Sequence, residues 1–257
     1  MARAVSVSPD GSRASVIRDW VAEAPVALEF NGLSYAVMMA TPADLEDFIT
    51  GFALTEGLAA SASDVCDVSV VETPVGWIAR AALSGPGAER LGERARMRVA
   101  ESSCGLCGIE NLEALARPLP PVARHPAIAG AAIFRALAAL RPAQALNRAT
   151  GAAHAAALCA SDGELLCLRE DVGRHNALDK LVGALARQGA ALSNGFVLST
   201  ARCSYEIVEK AVRAGATTLV TVSLPTSLAV DRACAAGLSL WALARSDSVL
   251  LVNDAAA

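Results

Sequence analysis

The 257-residue chain has little of what several protein classes require. It contains only two lysines, a bias that by itself carries no functional weight, and its net charge of −4 gives no positive field for nucleic acid. Charged residues make up 19% and hydrophobic residues 54% of the chain, which excludes a disordered protein. Apolar runs end within about a dozen residues, short of the roughly 20 that span a bilayer, and residues 1–20 lack the apolar core of a secretory signal. We therefore expect a cytoplasmic protein that contacts neither nucleic acid nor membrane.

The chain has seven cysteines. An odd number in a chain expected in the cytoplasm argues against a disulfide framework and favours reduced thiols, some of them reactive. The positions of the cysteines therefore bear on function.

The apolar pattern divides the chain into two lobes joined by a connector. Residues 1–12, rich in Ser, Ala and Gly, indicate a disordered tail. Residues 13–100 predict an N-terminal α+β lobe, and residues 101–126 a loop and connector. In residues 127–257, the C-terminal lobe, helices and strands alternate, which predicts an α/β sandwich with helices on both faces of a largely parallel sheet.

Two turn signals organise the N-terminal lobe. Asn31-Gly32 tolerates the positive φ of a two-residue hairpin turn and lies between predicted strands at 26–30 and 33–39. Thr41-Pro42 then predicts a helix start, with Asp44 placed for a capping interaction and apolar residues at helical spacing after it.

The sharpest local motif is the Cys-x-x-Cys of Cys104 and Cys107, in a segment rich in Gly and Ser. A zinc site would need further ligands that the chain does not place nearby. A thioredoxin-like redox pair should follow a strand and open a helix, whereas this one lies between the lobes. In sulfur-transfer chemistry, a thiolate stabilised by glycine N–H groups attacks a sulfane sulfur and carries it as a persulfide. Two incidental loop cysteines are the alternative without function.

A second polar cluster lies between a predicted strand and a helix. Arg174 and His175 stand at the helix N-terminus, where they could hold a phosphate or pyrophosphate. Asp171 could accept hydrogen bonds from paired N–H donors such as a guanine edge. The alternative is a capped, salt-bridged helix start. His154, which begins an apolar strand, is either an interior residue or points into a cleft.

Two further strand-to-helix junctions carry polar side chains. The first offers Arg202 and Ser204, and the second Ser223 and Thr226. Because the carboxyl ends of parallel strands meet at one edge of a sheet, we expect these junctions to converge with Arg174 on one anionic ligand.

Taken together, these motifs resemble the FdhD/NarQ family of formate dehydrogenase accessory sulfurtransferases. The resemblance covers roughly residues 20–245. It rests on four motifs in this order: Ser103–Gly108, Thr150–Ala156, Arg169–Lys180 and Arg202–Glu206, with Asn31-Gly32 and the segments 38–42 and 51–57 fitting as well.

The resemblance implies a cytidine-deaminase-like fold for the C-terminal lobe and a homodimer. It also implies transfer of sulfur from a cysteine desulfurase to the molybdenum cofactor, as bis(molybdopterin guanine dinucleotide), before that cofactor enters formate dehydrogenase. Cys104 would carry the persulfide, and Cys107 would assist release or relay. No histidine is followed two positions later by Glu, so the zinc deaminase signature is absent and we expect no tightly bound metal.

For the cofactor, the resemblance adds binding residues in the turn before the last strand, where Arg245 offers the strongest anion contact. These residues are Leu243, Ala244, Arg245, Ser246, Asp247 and Ser248. A chaperone that holds the cofactor without sulfur chemistry is the alternative function. In either case few apolar side chains anchor residues 98–108, and we expect this loop to be mobile in the free protein and protected when nucleotide binds.

Overall fold

The computed structural model describes residues 2–89, 91 and 118–256. Its first element is an antiparallel hairpin of β1 (Ala2–Val7) and β2 (Arg13–Arg18), where the sequence predicts a disordered tail. The turn between the strands uses Gly11 at φ +82°, a conformation that glycine adopts without strain. Val5 and Val7 alternate with Ser6 in β1, and this alternation favours a strand despite the many small residues of the segment.

The N-terminal lobe is a four-stranded sheet covered on one face by a helix. Helix α1 (Leu45–Thr55) contributes Phe48 and Phe52 to a core that it shares with Val26 and Leu28. A short helix α2 (Pro86–Glu89) follows the sheet. The hairpin predicted at Asn31-Gly32 is confirmed, with both residues at positive φ. The sheet has the order β4-β3-β6-β5, formed by β3 (Ala24–Phe30), β4 (Leu33–Ala40), β5 (Val65–Thr73) and β6 (Gly76–Leu83).

A six-stranded mixed sheet forms the centre of the C-terminal lobe, in the order β12-β11-β10-β9-β7-β8. Its strands are β7 (His154–Cys159), β8 (Leu165–Asp171), β9 (Phe196–Ser199), β10 (Thr218–Thr221), β11 (Ser239–Ala242) and β12 (Leu250–Asn253). The α/β class is confirmed, but only β9, β10 and β11 are parallel neighbours. The description as largely parallel is wrong, because the short β7–β8 and β11–β12 connections force antiparallel pairing and β7 also runs opposite to β9.

Helices cover both faces of this sheet, as predicted. The helices are α3 (Gly130–Ala143), α4 (Ala145–Thr150), α5 (Arg174–Arg187), α6 (Tyr205–Arg213) and α7 (Ser227–Ala236). On one face, α5, α6 and α7 share a core with Val197 and Leu219. On the other face, α3 packs with Leu198 and Val220. In the described part of the chain, no helix is long and apolar enough to cross a membrane.

Helices α1 and α5 join the lobes by a close crossing. A Cβ atom on Gly51 would lie 1.7 Å from the carbonyl oxygen of Asp179, and one on Gly183 would lie 1.8 Å from that of Asp47. The crossing therefore requires glycine on both helices, because no side chain fits between the two backbones.

Polar clusters flank this crossing. Each joins the two lobes around one aspartate: Asp47 with Arg169 and Arg187, Asp179 with Thr55 and Lys210, and Asp171 with Thr41 and Lys180. Burial raises the pKa of Asp179. Burial alone would lower the pKa of Lys210, but the charges of Asp179 and Glu56 outweigh it and the pKa is raised. Both lysines of the chain are thus buried and paired with an aspartate where the lobes meet.

The start of α1 differs from the prediction. The helix begins after Asp44, which has φ 53° and makes no capping hydrogen bond through its side chain. Thr41 lies before the helix and contacts the C-terminal lobe, where its backbone N–H donates to Asp171 at 3.0 Å. Its hydroxyl oxygen accepts from the N–H of Val172 at 3.1 Å. The capping roles predicted for Thr41 and Asp44 are therefore wrong.

Candidate functional site

The polar residues singled out in the sequence lie along one edge of the six-stranded sheet. The ends of β9 and β10 meet there because those strands are parallel, and the start of β7 joins them because it runs the opposite way. The end of β8 lies beside the start of β7, since Asp171 is paired with His154. The structure thus brings the N-termini of α5, α6 and α7 to a common edge, as the sequence predicts.

Ser223 connects two of the junctions at this edge. Its hydroxyl accepts from the N–H of Cys203 at 3.0 Å and donates to the carbonyl of Ala201 at 3.2 Å. The N–H of Thr226 in turn donates to the carbonyl of Cys203 at 3.0 Å. The donor and one acceptor lone pair of the Ser223 hydroxyl are thus engaged by protein, and its role as a ligand contact stays a prediction.

Two arginines and a second histidine influence the imidazole of His154 electrostatically. Arg174 and His175 begin α5, and the exposed Arg202 lies in the junction before α6. Burial lowers the pKa of His154, a hydrogen bond involving Thr200 opposes this, and electrostatic repulsion from Arg174, His175 and Arg202 lowers the pKa further. An anion bound at this edge would relieve the repulsion among these groups.

Arg174, His175 and Ser204 each carry a buried polar atom without a hydrogen-bond partner among the described residues. These atoms are Nε of Arg174, Nε2 of His175 and Oγ of Ser204. His175 Nε2 lies 3.2 Å from Oε2 of Glu206, which permits an ion pair when the imidazole is protonated but without the alignment of a hydrogen bond. Buried polar groups in proteins are almost always satisfied, so three orphans in one place indicate a site for a bound molecule or water.

The helix N-termini at the edge add further donors. Gly173 precedes α5 and Ser204 precedes α6, and neither supplies a side-chain cap to the first turn. The uncapped N–H groups and the helix dipoles both favour negative charge. With the cations around His154, the edge is suited to phosphate groups.

Asp171, predicted as the acceptor for a guanine edge, is fully buried between the lobes. Its Oδ1 accepts from the N–H of Gly173 at 2.6 Å and from Nδ2 of Asn176 at 2.9 Å. Its Oδ2 contacts Nζ of Lys180 at 2.5 Å and the N–H of Thr41 at 3.0 Å. The predicted ligand role is therefore wrong, because internal donors occupy both oxygens.

Of the remaining predicted cofactor residues, three make hydrogen bonds within the protein and four are exposed. Thr226 caps α7, with its hydroxyl accepting from the N–H of Ala229. Leu243 and Ala244 donate their backbone N–H groups to the carbonyls of Ser223 and Thr221, and Ala244 is buried, so both attach the turn to the sheet. Four residues are exposed in that turn, namely Arg245, Ser246, Asp247 and Ser248.

Cys104 and Cys107 lie outside the described residues, as does the loop 98–108 for which mobility is predicted. Among the described thiols, burial raises the pKa of Cys159 to about 12 and that of Cys203 to about 11. Burial also raises the pKa of Cys167. The thiolate is the reactive form of cysteine, so these three thiols are poorly suited to sulfur chemistry.

Sequence reasoning missed one residue of the edge and left another undecided. His154 is half-buried, with Nδ1 3.5 Å from the hydroxyl of Thr200. An acidic residue such as Glu206 in a first helical turn is common, and only the meeting of α5 and α6 reveals its contact with His175. Within the described ranges, no group of three His, Cys, Asp or Glu side chains is placed to hold a metal ion.

Comparisons with known proteins match nearly the whole chain. The model of the FdhD/NarQ family matches residues 21–256, so the β1–β2 hairpin precedes the matched part. The sulfur carrier protein FdhD of Variovorax paradoxus is 47% identical over 235 residues, 91% of this chain and 84% of that protein. The protein of the same name from Chromobacterium violaceum is 46% identical over 237 residues, 88% of this chain and 86% of that protein.

A solved structure shares the fold. It is the crystal structure of a protein from Desulfotalea psychrophila named as a formate dehydrogenase accessory protein. The TM-score is 0.75 at 25% identity, and the match covers 99% of this chain and 96% of that chain.

Proposed function

Because the chain belongs to the FdhD/NarQ family, we propose that it is a sulfurtransferase that serves formate dehydrogenase. It accepts sulfur from a cysteine desulfurase as a persulfide on Cys104 and transfers it to the molybdenum cofactor, bis(molybdopterin guanine dinucleotide). The observation that carries the proposal is the family match over residues 21–256, which includes the Cys-x-x-Cys motif, with relatives named as sulfur carrier proteins. We place this activity in a homodimer, as the family resemblance implies, and in the cytoplasm, as the composition of the chain predicts.

Loading of sulfur exchanges one persulfide for another. The Cys104 thiolate attacks the terminal sulfur of the desulfurase persulfide, and an S–S bond forms at Cys104. The S–S bond of the desulfurase breaks, and its cysteine leaves as a thiolate with the electron pair. No oxidant or reductant is consumed in this step.

Release can use the second thiol of the motif. The Cys107 thiolate attacks Sγ of Cys104 and expels the terminal sulfur as hydrosulfide, which leaves a disulfide between the two cysteines. A cellular thiol reductant then restores both thiols. In a direct transfer, the substrate would supply the electron pair that bonds to the terminal sulfur, the S–S bond at Cys104 would break, and Cys104 would leave as a thiolate.

The sheet edge suits the nucleotide ends of this substrate. Arg174 offers a charged donor and His175 an imidazole at the N-terminus of α5, and Ser204 offers a hydroxyl at that of α6. Phosphate oxygens would supply acceptors for their buried, unpartnered atoms. The excess positive charge around His154 would then be balanced.

Mass spectrometry tests the sulfur step. After incubation with a cysteine desulfurase and cysteine, we expect one added sulfur on the Cys104 peptide of the wild-type protein. Cys66→Ala and Cys234→Ala, which remove exposed thiols elsewhere, should leave that sulfur in place. Absence of sulfur on the Cys104 peptide, without reducing agent present, would refute the proposal.

Cys104→Ala separates sulfur transfer from cofactor holding. In cells that depend on this protein for formate dehydrogenase activity, a chaperone that only holds the cofactor would still support the enzyme after the substitution. A sulfurtransferase would not, and we expect loss of activity.

Calorimetry with GDP tests the placement of the nucleotide. Arg174→Ala should weaken binding about tenfold or more, because charge-assisted hydrogen bonds are lost. Arg135→Ala, which changes an exposed arginine of α3 paired with Asp162, should bind as the wild type does. No binding at millimolar GDP, or equal affinity after Arg174→Ala, would contradict this placement.

A further inference from the structure

We propose that Thr41, from the N-terminal lobe, is a positioning residue for the anion-binding edge of the C-terminal lobe. Acting on Asp171 and on the Val172-Gly173 turn, it sets the orientation in which Arg174 and His175 begin α5. This inference rests on the proposed function, because it concerns the side chains assigned to the anionic ends of the substrate.

Two hydrogen bonds at the contact between the lobes fix the backbone of the turn before α5. The N–H of Val172 donates to Oγ1 of Thr41 at 3.1 Å, and the N–H of Gly173 donates to Oδ1 of Asp171 at 2.6 Å. Only these two residues separate β8 from α5. Fixing both N–H groups therefore fixes the direction of the first helical turn.

Thr41 also holds the carboxylate that captures the turn. Its N–H donates to Oδ2 of Asp171 at 3.0 Å, and its carbonyl accepts from Nζ of Lys180 at 2.9 Å. The side chains of Asp171 and Lys180 have no exposed surface, and Thr41 is 6% exposed. Solvent therefore cannot replace a hydrogen bond that is lost here.

Asn176 closes the cluster from the helix side. Its Nδ2 donates to Oδ1 of Asp171 and to the carbonyl of Met39, each at 2.9 Å. A Cβ on Gly173 would lie 2.5 Å from this Nδ2. A side chain at 173 would therefore displace Asn176 from the cluster, although the φ of −92° at Gly173 is open to any residue.

The turn leads directly into the two residues with buried, unpartnered nitrogen atoms. Arg174 Nε has no hydrogen-bond partner within the described structure, and His175 Nε2 has only the poorly aligned carboxylate of Glu206 at 3.2 Å. A side chain free to rotate would turn such a donor towards water, so the orientation has to be imposed by the surroundings. Thr41 of the N-terminal lobe imposes this orientation through its contacts with Asp171 and Val172.

A second cluster of the same composition provides a matched control. The hydroxyl of Thr55 donates to Oδ1 of Asp179 at 2.6 Å and accepts from Nζ of Lys210 at 3.0 Å, again between the lobes. Asp179 lies in the second turn of α5, and these contacts run to α1 and α6. Loss of the Thr55 hydroxyl should lower stability without turning Arg174 or His175.

Paired substitutions test the proposal by calorimetry with GDP. Thr41→Val removes the acceptor for Val172 while keeping shape and backbone contacts, and Thr41→Ser keeps the acceptor. We expect about tenfold weaker GDP binding for Thr41→Val and affinity within about twofold for Thr41→Ser. Thr55→Val should melt at a lower temperature than Thr55→Ser but bind GDP as the wild type does.

Measurements on the free protein test the role of Thr41 independently of whether GDP binds at the proposed site. Thr41→Val should speed amide hydrogen exchange at Val172 and shift the imidazole resonances of His175, whereas Thr55→Val should do neither beyond its loss of global stability. If the wild type binds no GDP, the proposed ligand site fails, and the exchange and His175 data alone decide the role of Thr41.

The inference is overturned if Thr41→Val binds GDP as tightly as the wild type, or if its Val172 exchange and His175 resonances are unchanged. Should Thr41→Val not fold, Gly173→Ala takes its place, because the added Cβ displaces Asn176 from the same cluster. It is judged by the same readouts.

Discussion

Replacing Gly51 with alanine tests how closely α1 and α5 pack. The added Cβ would lie 1.7 Å from the carbonyl oxygen of Asp179 and 2.7 Å from the backbone nitrogen of Gly183. Both are backbone atoms, so no side-chain rotation relieves the overlap. The two helices would have to separate by roughly 1.5 Å, which loosens the core and the polar clusters beside the crossing.

The expected loss of stability follows from two opposing effects. Overpacking a close-packed core costs about 1–3 kcal/mol, and more where backbone has to move. Alanine returns about 1 kcal/mol through its higher helix propensity. Because this overlap is with backbone, we expect a net loss of about 3 kcal/mol in the free energy of unfolding, or roughly 6–12 °C in melting temperature for a chain of this size.

Urea unfolding followed by circular dichroism measures the change. Gly130→Ala is the matched control, because Gly130 is also helical and a Cβ there meets nothing within 4 Å. It should be neutral or more stable by up to about 1 kcal/mol. Gly183→Ala should be as damaging as Gly51→Ala, and the double variant less damaging than the two losses added, since one separation accommodates both methyl groups. A Gly51→Ala protein within about 1 kcal/mol of the wild type would refute the crossing.

Two further predictions concern titratable groups. The pKa of His154 is lowered below its ordinary 6.5, chiefly by burial. As the pH falls below 6.5, His154 is therefore protonated in the unfolded chain before it is protonated in the folded chain. The unfolding free energy of the wild type should then fall relative to His154→Gln between about pH 7.5 and about pH 5.5, and equal pH dependence would contradict the burial of this imidazole. Alkylation with iodoacetamide near pH 8 should label Cys66 and Cys234 in the folded protein but Cys159 and Cys203 only after unfolding, because burial raises the pKa of the latter pair. Peptide mass spectrometry reads this out, and rapid labelling of Cys203 would mean that the sheet edge opens.

The elements of the C-terminal lobe could be predicted because each has a strong local signal. The apolar run at 196–199 coincides with β9, and Ser204 and Thr226, which are typical N-cap residues, immediately precede α6 and α7. Capping residues and turn residues mark these boundaries in the sequence itself. The convergence of the junctions at one edge then follows from the strand order.

Contacts between distant residues could not be predicted in the same way. Asp171 has the sequence context of a ligand residue, but Thr41, 130 positions away, and Lys180 turn it into an internal acceptor. The approach of Glu206 to His175 likewise depends on how α5 and α6 meet. Polar residues at strand ends serve ligand binding and lobe contacts equally well, and only burial separates the two roles.

The contacts between the lobes explain why the two lysines of the chain lie where they do. Of 22 basic residues, the chain has lysine only at 180 and 210, and both lie where the lobes meet. Lys180 donates to a carboxylate oxygen and to a carbonyl oxygen, while Lys210 serves both oxygens of Asp179 and the hydroxyl of Thr55. A compact ammonium group with three rotatable donors fits such convergent acceptors, whereas the planar guanidinium of arginine needs acceptors side by side in one plane. Buried ion pairs add little stability compared with apolar packing, but an unpaired partner is costly, so these lysines enforce one arrangement of the two lobes. That arrangement is the one in which Thr41 reaches the turn before Arg174 and His175.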